Sequence, residues 1–260
     1  MLAPVLEEVD HLVLAGDVWQ ECQSGSTGEV ARQKYEALLR MIRERGLSVE
    51  VLRGNHDPGE SKGVAWLANG AVLATHGDAV YDDATPWSRG FPAHRREVDA
   101  IVARYAPRDR SAEACAERAR EIALALKTYA LPRLPPPLNF FATALWPPGR
   151  AFEIVRVWRK MGEEGLRFLK RAGDGAGVLV CGHFHRAGIW QKEGALMINT
   201  GSFMKGSRAW AVDVKGDRLT ARVLELRDDR YFPGEVKGRW LLGELGKERR
   251  RSEETDGRRE

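Results

Sequence analysis

The sequence predicts an α/β fold in which short buried strands deliver polar side chains to one edge of a sheet. Three observations support this: short apolar runs, a polar cluster directly after each run, and apolar residues at helical spacing between the first two runs. The runs have the length and composition of buried strands, and they are Leu12–Ala15, Val49–Leu52, Ala71–Ala74 and Val178–Cys181. Between the first two, Gly28–Arg45 has apolar residues on one face and Gly46 as a stop, which predicts a βαβ unit.

Each apolar run ends in a polar cluster that contains glycine. The clusters are Gly16-Asp17, Gly54-Asn55-His56-Asp57, Thr75-His76-Gly77-Asp78 and Gly182-His183-Phe184-His185. Ligands of α/β proteins usually bind at the carboxyl ends of strands, because the backbone leaves the sheet there and side chains can converge. We therefore expect the four clusters to gather at one edge of a sheet.

The residue types in these clusters are those that bind transition metals. Asp17 offers an anionic oxygen that could bridge two cations, Asn55 an amide oxygen, and His76, His183 and His185 imidazole nitrogens. Such a mixed set suits Mn, Fe or Zn better than calcium and lacks the thiolates of a structural zinc site. His183 and His185 are two apart, so on extended backbone they point to opposite sides and could serve two adjacent ions. The sequence predicts two divalent metal ions, with Mn as first choice.

His56 is the predicted catalytic residue. It lies beside a metal ligand but is displaced by one residue, so it could protonate a leaving oxygen or stabilise charge on a phosphoryl group. Taken singly, Asp17 and Asn55 would be ordinary turn residues, and His76 a satisfied polar residue near the core. It is their order along the chain that favours a site.

This ordered set resembles the calcineurin-like metallophosphoesterase superfamily. The pattern of that family is D-x-H, G-D-x-x-D/E, G-N-H-D/E, a histidine motif of the G-H-G-D type, and G-H-x-H. Four of the five blocks match in order, over about Asp10 to Leu226, and Asn199-Thr200-Gly201-Ser202 strengthens the match. The resemblance implies an αββα sandwich of two mixed sheets. It also implies a phosphatase or pyrophosphatase activity, the hydrolysis of a phosphomonoester, phosphodiester or pyrophosphate bond by a metal-activated water.

The resemblance also assigns the ligands. Asp17 would bridge the two metals, Asn55, His76 and His183 would complete one site, and His185 would belong to the other.

Two departures from the family pattern weaken the second metal site. No D-x-H block precedes Asp17, and Asp10-His11 is a poor substitute because it starts the strand that Asp17 ends; we expect that a first strand is missing and that Met1 is internal. Gln20 stands where relatives usually carry a carboxylate that orients the catalytic histidine, with Glu21 adjacent. These departures leave open a catalytically silent protein that uses the fold for association with other proteins.

The sequence divides into a metallophosphoesterase core (1–80 and 174–228), a helical cap insert (81–173) and a C-terminal extension (229–260) whose charged end we expect to be disordered. Within the core, Ala195–Ile198, Ala209–Val214 and Leu219–Leu226 are predicted strands of a second sheet, with a hairpin turn at Lys215-Gly216-Asp217.

Within the insert, the predicted helices are Arg95–Tyr105, Ala112–Ala130 and Ala151–Arg171, and the Pro-rich Leu131–Leu138 breaks the run. Its arginines form either a solvated face or a cap that grips phosphate oxygens; they are Arg95, Arg96, Arg104, Arg108, Arg110, Arg118 and Arg120. The apolar stretch from Leu138 to Trp146 forms either core or an acyl-chain groove. The insert also resembles, in topology, that of the UDP-2,3-diacylglucosamine pyrophosphohydrolases.

Composition sets the remaining expectations. A net charge of +4 favours anionic ligands, and we expect a phosphorylated small molecule or nucleotide-lipid substrate. No base-reading motif is evident, so nucleic acid is not an expected partner. Three cysteines without metal spacing favour a reducing, cytoplasmic location. No apolar stretch is long enough to span a membrane, and contact with a membrane surface is left open.

Overall fold

A computed structural model gives the fold of the chain and describes residues 2–7, 9–21, 26–88, 90–105, 109–126, 149–204 and 206–246. These residues form a mixed α/β structure with four α-helices and three hydrogen-bonded sheets. Within these ranges, no helix combines the length and the apolar character needed to cross a lipid bilayer.

The first sheet is the predicted βαβ unit. Strand β1 (His11–Leu14) pairs in parallel with β2 (Ser48–Val51), and helix α1 (Ser26–Arg43) connects them. The helix ends three residues before Gly46, whose φ of 77° is of the left-handed kind that glycine adopts without strain. Polar segments follow the carboxyl ends of both strands, which places Asp17 and Asn55 on the same side of this unit.

The second sheet has five strands in the order β3-β4-β5-β7-β6. Its strands are β3 (Val64–Leu67), β4 (Val72–Thr75), β5 (Val178–Cys181), β6 (Gly188–Lys192) and β7 (Ala195–Asn199). The three central strands run parallel, and the two edge strands run antiparallel to their neighbours. His76 and His183 therefore leave neighbouring parallel strands at the same edge.

The third sheet is an antiparallel meander of β8 (Ala209–Lys215), β9 (Arg218–Arg227) and β10 (Arg230–Leu241). The predicted hairpin turn is present, with Gly216 at φ 61°. Strand β10 lies in the segment assigned to the C-terminal extension, and the sequence did not indicate it. Residues 247–260, which include the charged tail, lie outside the described residues.

One strand was assigned to the wrong sheet. Ala195–Ile198 does not join β8 and β9; it forms most of β7, which pairs in parallel with β5 through Leu179 and Met197. The physical reason is burial on both faces: Leu196, Met197 and Ile198 are all fully buried, as expected for a central parallel strand.

Successive side chains along the central strands lie on opposite faces of the sheet, and each face packs against its own apolar layer. One face of the five-stranded sheet packs against helix α4 (Arg150–Ala172) through Leu73, Leu179 and Met197. The opposite face packs against the meander, where Val72, Val178 and Leu196 share a core with Leu219. The sheet is thus held between helix and sheet, and its carboxyl edge has a fixed position relative to both layers.

The described part of the insert contains helices in the predicted segments. Helix α2 spans Arg95–Tyr105 and helix α3 Ala112–Leu126, and with α4 they match the predicted segments closely. Helices α2 and α3 share a small core of their own with Phe91. Leu131–Leu138, the apolar stretch from Leu138 to Trp146, and the end of the second predicted helix lie outside the described residues.

Replacing Gly165 by valine is predicted to lower the free energy of unfolding by about 1–3 kcal/mol. A Cβ at this position would overlap the sulfur of the fully buried Met197, so α4 would have to move away from β7. Urea denaturation measures the change. The matched control is Gly243→Val, because a Cβ at Gly243 meets no atom within 4 Å. Equal unfolding midpoints for the two variants would contradict this packing.

Candidate metal centre

Asp17 leaves β1 in a conformation that few side chains adopt. Its φ is 53°, and the preceding Gly16 has φ 79° and donates a hydrogen bond to Leu14. The Asp17 carboxylate then divides its two oxygens between two tasks. Oδ1 accepts the backbone N–H of His56 at 2.8 Å, and Oδ2 lies 3.3 Å from Nε2 of His76. One oxygen therefore fixes the loop geometry while the other faces the imidazole.

Asp57 joins the loop after β1 to the loop after β2. It is fully buried, and its carboxylate accepts three backbone N–H groups: from Asp17 at 2.9 Å, Val18 at 2.7 Å and Gly54 at 2.7 Å. Burial raises the pKa of Asp57, and the Asp17 charge raises it further, whereas these N–H groups favour the ionised form. The residue fixes the distance between the loops that carry Asp17 and Asn55.

His76 is the residue on which the other candidate ligands converge. Its Nδ1 lies 2.8 Å from the carbonyl oxygen of Ala15, which can only accept, so Nδ1 carries the proton. Nε2 then faces Asn55 Oδ1 at 3.2 Å, Asp17 Oδ2 at 3.3 Å and His183 Nδ1 at 3.0 Å. All three are atoms with lone pairs.

The orientation of His183 is fixed in the same way. Its Nε2 donates to the carbonyl oxygen of Ala84 at 3.4 Å, which leaves Nδ1 unprotonated and directed at His76. The ring is buried, and it also contacts the ring of Trp87 at a centroid distance of 4.9 Å. A backbone carbonyl that binds one ring nitrogen and leaves the other free is the usual arrangement around metal-binding histidines.

These atoms fit a divalent cation. A metal lies about 2.1 Å from an imidazole nitrogen, so adjacent ligands of one ion lie about 3.0–3.4 Å apart. The 3.0–3.3 Å separations around His76 Nε2 fall in that range. Ligand atoms of Asp17, His76 and His183 all lie within 4.8 Å of one another. This buried group could hold a metal ion, and Asn55 adds a fourth donor.

His185 lies beside this group. Its φ is 55°, it is partly buried, and burial lowers its pKa, as do the charges of His76 and His56, whereas Asp17 raises it. His185 is thus within electrostatic range of the Asp17 carboxylate. Among the described residues, the cluster whose ligand atoms all lie within 4.8 Å of one another consists of Asp17, His76 and His183, and it does not include His185.

His56 lies at the rim of the group and contacts Gln20. Its Nδ1 lies 3.0 Å from Gln20 Oε1, and its Nε2 lies 3.9 Å from Asp17 Oδ2. Gln20 thus accepts a hydrogen bond from His56, while Glu21 accepts the backbone N–H of Gly59 at 2.6 Å. The His56 side chain is about half exposed, so a substrate could reach it.

Two glycines make this approach of loops possible. A Cβ on Gly54 would overlap the carboxylate of Asp17, and a Cβ on Gly16 would lie 2.7 Å from Nδ1 of His76. The glycines beside the ligands are therefore required by close packing between loops, in addition to the left-handed backbone of Gly16.

Electrostatics couple Asp17 and His76 strongly. Burial opposes the charge on both, but their mutual attraction and hydrogen bond prevail: the pKa of Asp17 falls well below its usual range, and that of His76 rises to about 10. Burial, followed by the charge of His76, holds the pKa of His183 well below its ordinary value. Without metal, one proton is thus held between Asp17 and His76.

The site corrects one expectation of the sequence. The ligands do not come from one sheet: Asp17 and Asn55 follow the two-stranded sheet, and His76 and His183 follow the five-stranded sheet. The sheets are joined by an apolar contact around Leu52. Asp10-His11 lies at the opposite end of β1 from Asp17, and His11 bonds Ser48 at 2.7 Å, which agrees with its rejection as a D-x-H block.

Three residues near the site had no structural role assigned from the sequence. Asp57 was part of a recognised cluster but had no assigned role. Asn199 belonged to a segment that strengthened the family resemblance; it is fully buried, donates to the carbonyl of Gly182 and so braces the loop that carries His183. Trp87 lies in the insert, where no motif marks it.

Most arginines of the insert are engaged within the protein. Arg95 and Arg104 form ion pairs with carboxylates of the insert, and Arg118 and Arg120 donate to backbone carbonyls. This favours a structural use of these four side chains over a grip on phosphate. Arg108 lies outside the described residues.

No family model matches this chain, and the search of curated proteins finds no match either. The case for the site therefore stands on its geometry.

Replacing Asp57 by alanine is predicted to lower the free energy of unfolding by about 3 kcal/mol or more. Three N–H groups, one buried and two partly buried, would lose their acceptor, and each buried unsatisfied group costs about 1–3 kcal/mol. Urea denaturation provides the measurement. The control is Asp99→Ala, an exposed partner of Arg95, for which we expect a change within about 0.5 kcal/mol. Similar losses in both variants would refute the role of Asp57.

Binding of Mn²⁺ below about pH 10 is predicted to release the proton that His76 holds in the metal-free protein. The unfolded His76 titrates near 6.5, but the folded residue keeps its proton up to about pH 10. The metal-free fold should therefore lose stability as the pH rises from 6.5 to 10, since the unfolded state binds fewer protons there.

The affinity for Mn²⁺ should increase about tenfold per pH unit over the same range, because the metal has to displace this proton. Calorimetric titration at several pH values tests this, and an affinity independent of pH would contradict it.

Proposed function

We propose that the protein is a metal-dependent phosphoesterase of the calcineurin-like metallophosphoesterase superfamily. The observation that carries the proposal is the convergence of Asp17, Asn55, His76 and His183, with both imidazoles oriented by backbone carbonyls. A carboxylate, an amide and two histidines suit Mn, Fe or Zn. The five-stranded sheet packed against the meander, with α4 on its other face, is compatible with the sandwich architecture of that superfamily.

Each residue has a task in this proposal. Asp17, Asn55, His76 and His183 would hold one cation, and Asp17 and His185 would contribute to a second. Such cations, when bound, would supply charge neutralisation for phosphoryl oxygens and a hydroxide near neutral pH. His56 stands at the exposed rim, where it donates a proton to the leaving oxygen, and Gln20 orients its ring.

The alternative is a catalytically silent protein of the same fold. Gln20 favours it, because its amide oxygen accepts a hydrogen bond from His56 but contributes no negative charge. The two possibilities differ in one respect that can be measured: both bind Mn²⁺, but only the enzyme turns over a phosphoester. A panel of phosphomonoesters, cyclic nucleotides and nucleotide-linked lipids then identifies the substrate class.

The first test is Mn²⁺-dependent hydrolysis of bis-p-nitrophenyl phosphate. His76→Ala should lower kcat/KM by about 100-fold or more, because it removes the ligand on which the other three converge. The matched control is His11→Asn, a histidine at the other end of β1, which should retain full activity. Equal turnover by His76→Ala and the unaltered protein would exclude the proposed site.

The second test separates the role of His56 from metal binding. In His56→Gln, hydrolysis of alkyl phosphate esters should fall about 100-fold, because an alkoxide needs a proton to leave. Hydrolysis of p-nitrophenyl esters should fall only a few-fold, since p-nitrophenolate leaves unprotonated. Steady-state kinetics on both substrates, at saturating Mn²⁺, provide the comparison. An equal loss on both substrates would mean that His56 is not the proton donor.

A further inference from the structure

Helix α3 of the insert contacts both loops that carry candidate ligands. Three charged residues within one helical turn make these contacts, Glu117, Arg118 and Arg120. The sequence assigned this helix to a cap over the substrate. Its contacts instead point into the protein, toward the segments that follow β2 and β4.

The first loop is held on both sides of Asn55-His56. Glu117 Oε2 accepts from Nη2 of Arg53 at 2.7 Å, and Arg53 directly precedes Gly54. The other Glu117 oxygen accepts from Arg120 at 2.8 Å, and Arg120 Nε donates to the carbonyl of Pro58 at 3.1 Å. The Glu117 carboxylate thus links Arg53, which precedes the ligand segment, to Pro58, which follows it, the latter through Arg120.

The Arg53 side chain continues this network into the loop. Its exposed fraction is only 12%, and Nη1 donates to the carbonyl of Ser61 at 3.3 Å. Its backbone N–H donates to Lys62 at 2.7 Å. Packing is also close at the end of the loop, where a Cβ on Gly63 would lie 2.6 Å from that of Ala116 on α3. The loop cannot shift relative to α3 without breaking these contacts.

The second loop is held by Arg118. This side chain is buried, and its guanidinium donates to the carbonyls of Ala79 and Tyr81 at 3.4 and 3.3 Å and pairs with Asp82 at 3.1 Å. These residues belong to the segment that directly follows His76-Gly77. An arginine spans several acceptors with its planar donors, so it can fix such a segment in one orientation.

We propose that Glu117, Arg118 and Arg120 form a clamp that sets the position of Asn55 and His56 relative to His76. The inference rests on the proposed metal centre and extends it: the α3 part of the insert is a fixed part of the site and not a movable cover. Glu117 is the key positioning residue, because it touches neither metal nor substrate and acts through Arg53 and Arg120. Residues that hydrogen-bond metal ligands directly change metal affinity about 10- to 100-fold when replaced, and Glu117 acts one contact further out, so we expect an effect at the lower end of that range.

The test replaces Glu117 by glutamine in the full chain. Two readouts are measured: amide hydrogen exchange of residues 53–62 in the metal-free protein, and the Kd for Mn²⁺ by titration. We expect faster exchange in this segment and a Kd about tenfold higher. The matched control is Glu113→Gln, one turn earlier on α3, whose carboxylate accepts a hydrogen bond from Trp66 on β3 at 2.7 Å. Exchange in 53–62 and Mn²⁺ affinity should be unchanged in the control.

A double-mutant cycle tests the route of the effect. If Glu117 acts through Arg53, the pair Glu117→Gln with Arg53→Gln should raise the Kd no more than the larger single change. Glu117→Asp keeps the charge and should give an intermediate effect even if the glutamine variant folds poorly. The clamp is overturned if exchange of residues 53–62 in Glu117→Gln matches that in Glu113→Gln, or if the two single effects on the Kd add in full.

The two readouts separate this inference from the proposed function. Normal Mn²⁺ binding without phosphoester hydrolysis would reject the phosphoesterase and leave the clamp standing. An unaltered protein that binds no Mn²⁺ would reject the metal centre, and unchanged exchange of residues 53–62 in Glu117→Gln would reject the clamp.

Discussion

The candidate site depends on the orientation of one imidazole. The carbonyl of Ala15 fixes the proton of His76 on Nδ1, so Nε2 points at the oxygens of Asp17 and Asn55 and at the free nitrogen of His183. Four electron-rich atoms in a buried space repel one another unless a cation or a proton lies between them. In the metal-free protein a proton does this, which is why the pKa of His76 is raised. A divalent ion would satisfy all four atoms at once.

The fold supports that arrangement by fixing loops from two sheets. Asp57 joins the loop after β1 to the loop after β2, and Asn199 braces the loop after β5. Both are fully buried polar side chains that hydrogen-bond backbone groups of these loops. They hold segments with left-handed residues such as Asp17 and His183 in place. The ligands thus meet on a rigid framework, although the sheets that carry them are separate.

Sequence reasoning recovered the parts of this structure that are local. Strand ends, helix periods and the predicted ligand types follow from short segments, and β5 and α2 match their predicted bounds. Strand β10 was not predicted, because Pro233 and two glycines interrupt the alternation of apolar and polar residues along it. The structure accommodates them with register shifts. The sheet to which β7 belongs and the role of Asp57 depend on partners far along the chain. No local pattern encodes the identity of those partners.

The most direct test of the account is to locate Mn²⁺ by anomalous diffraction from crystals grown with the metal. The account predicts a peak about 2.1–2.3 Å from Asp17 Oδ2, Asn55 Oδ1, His76 Nε2 and His183 Nδ1. A protein that shows these four side chains in the arrangement described above, yet binds its Mn²⁺ elsewhere or not at all, would contradict it.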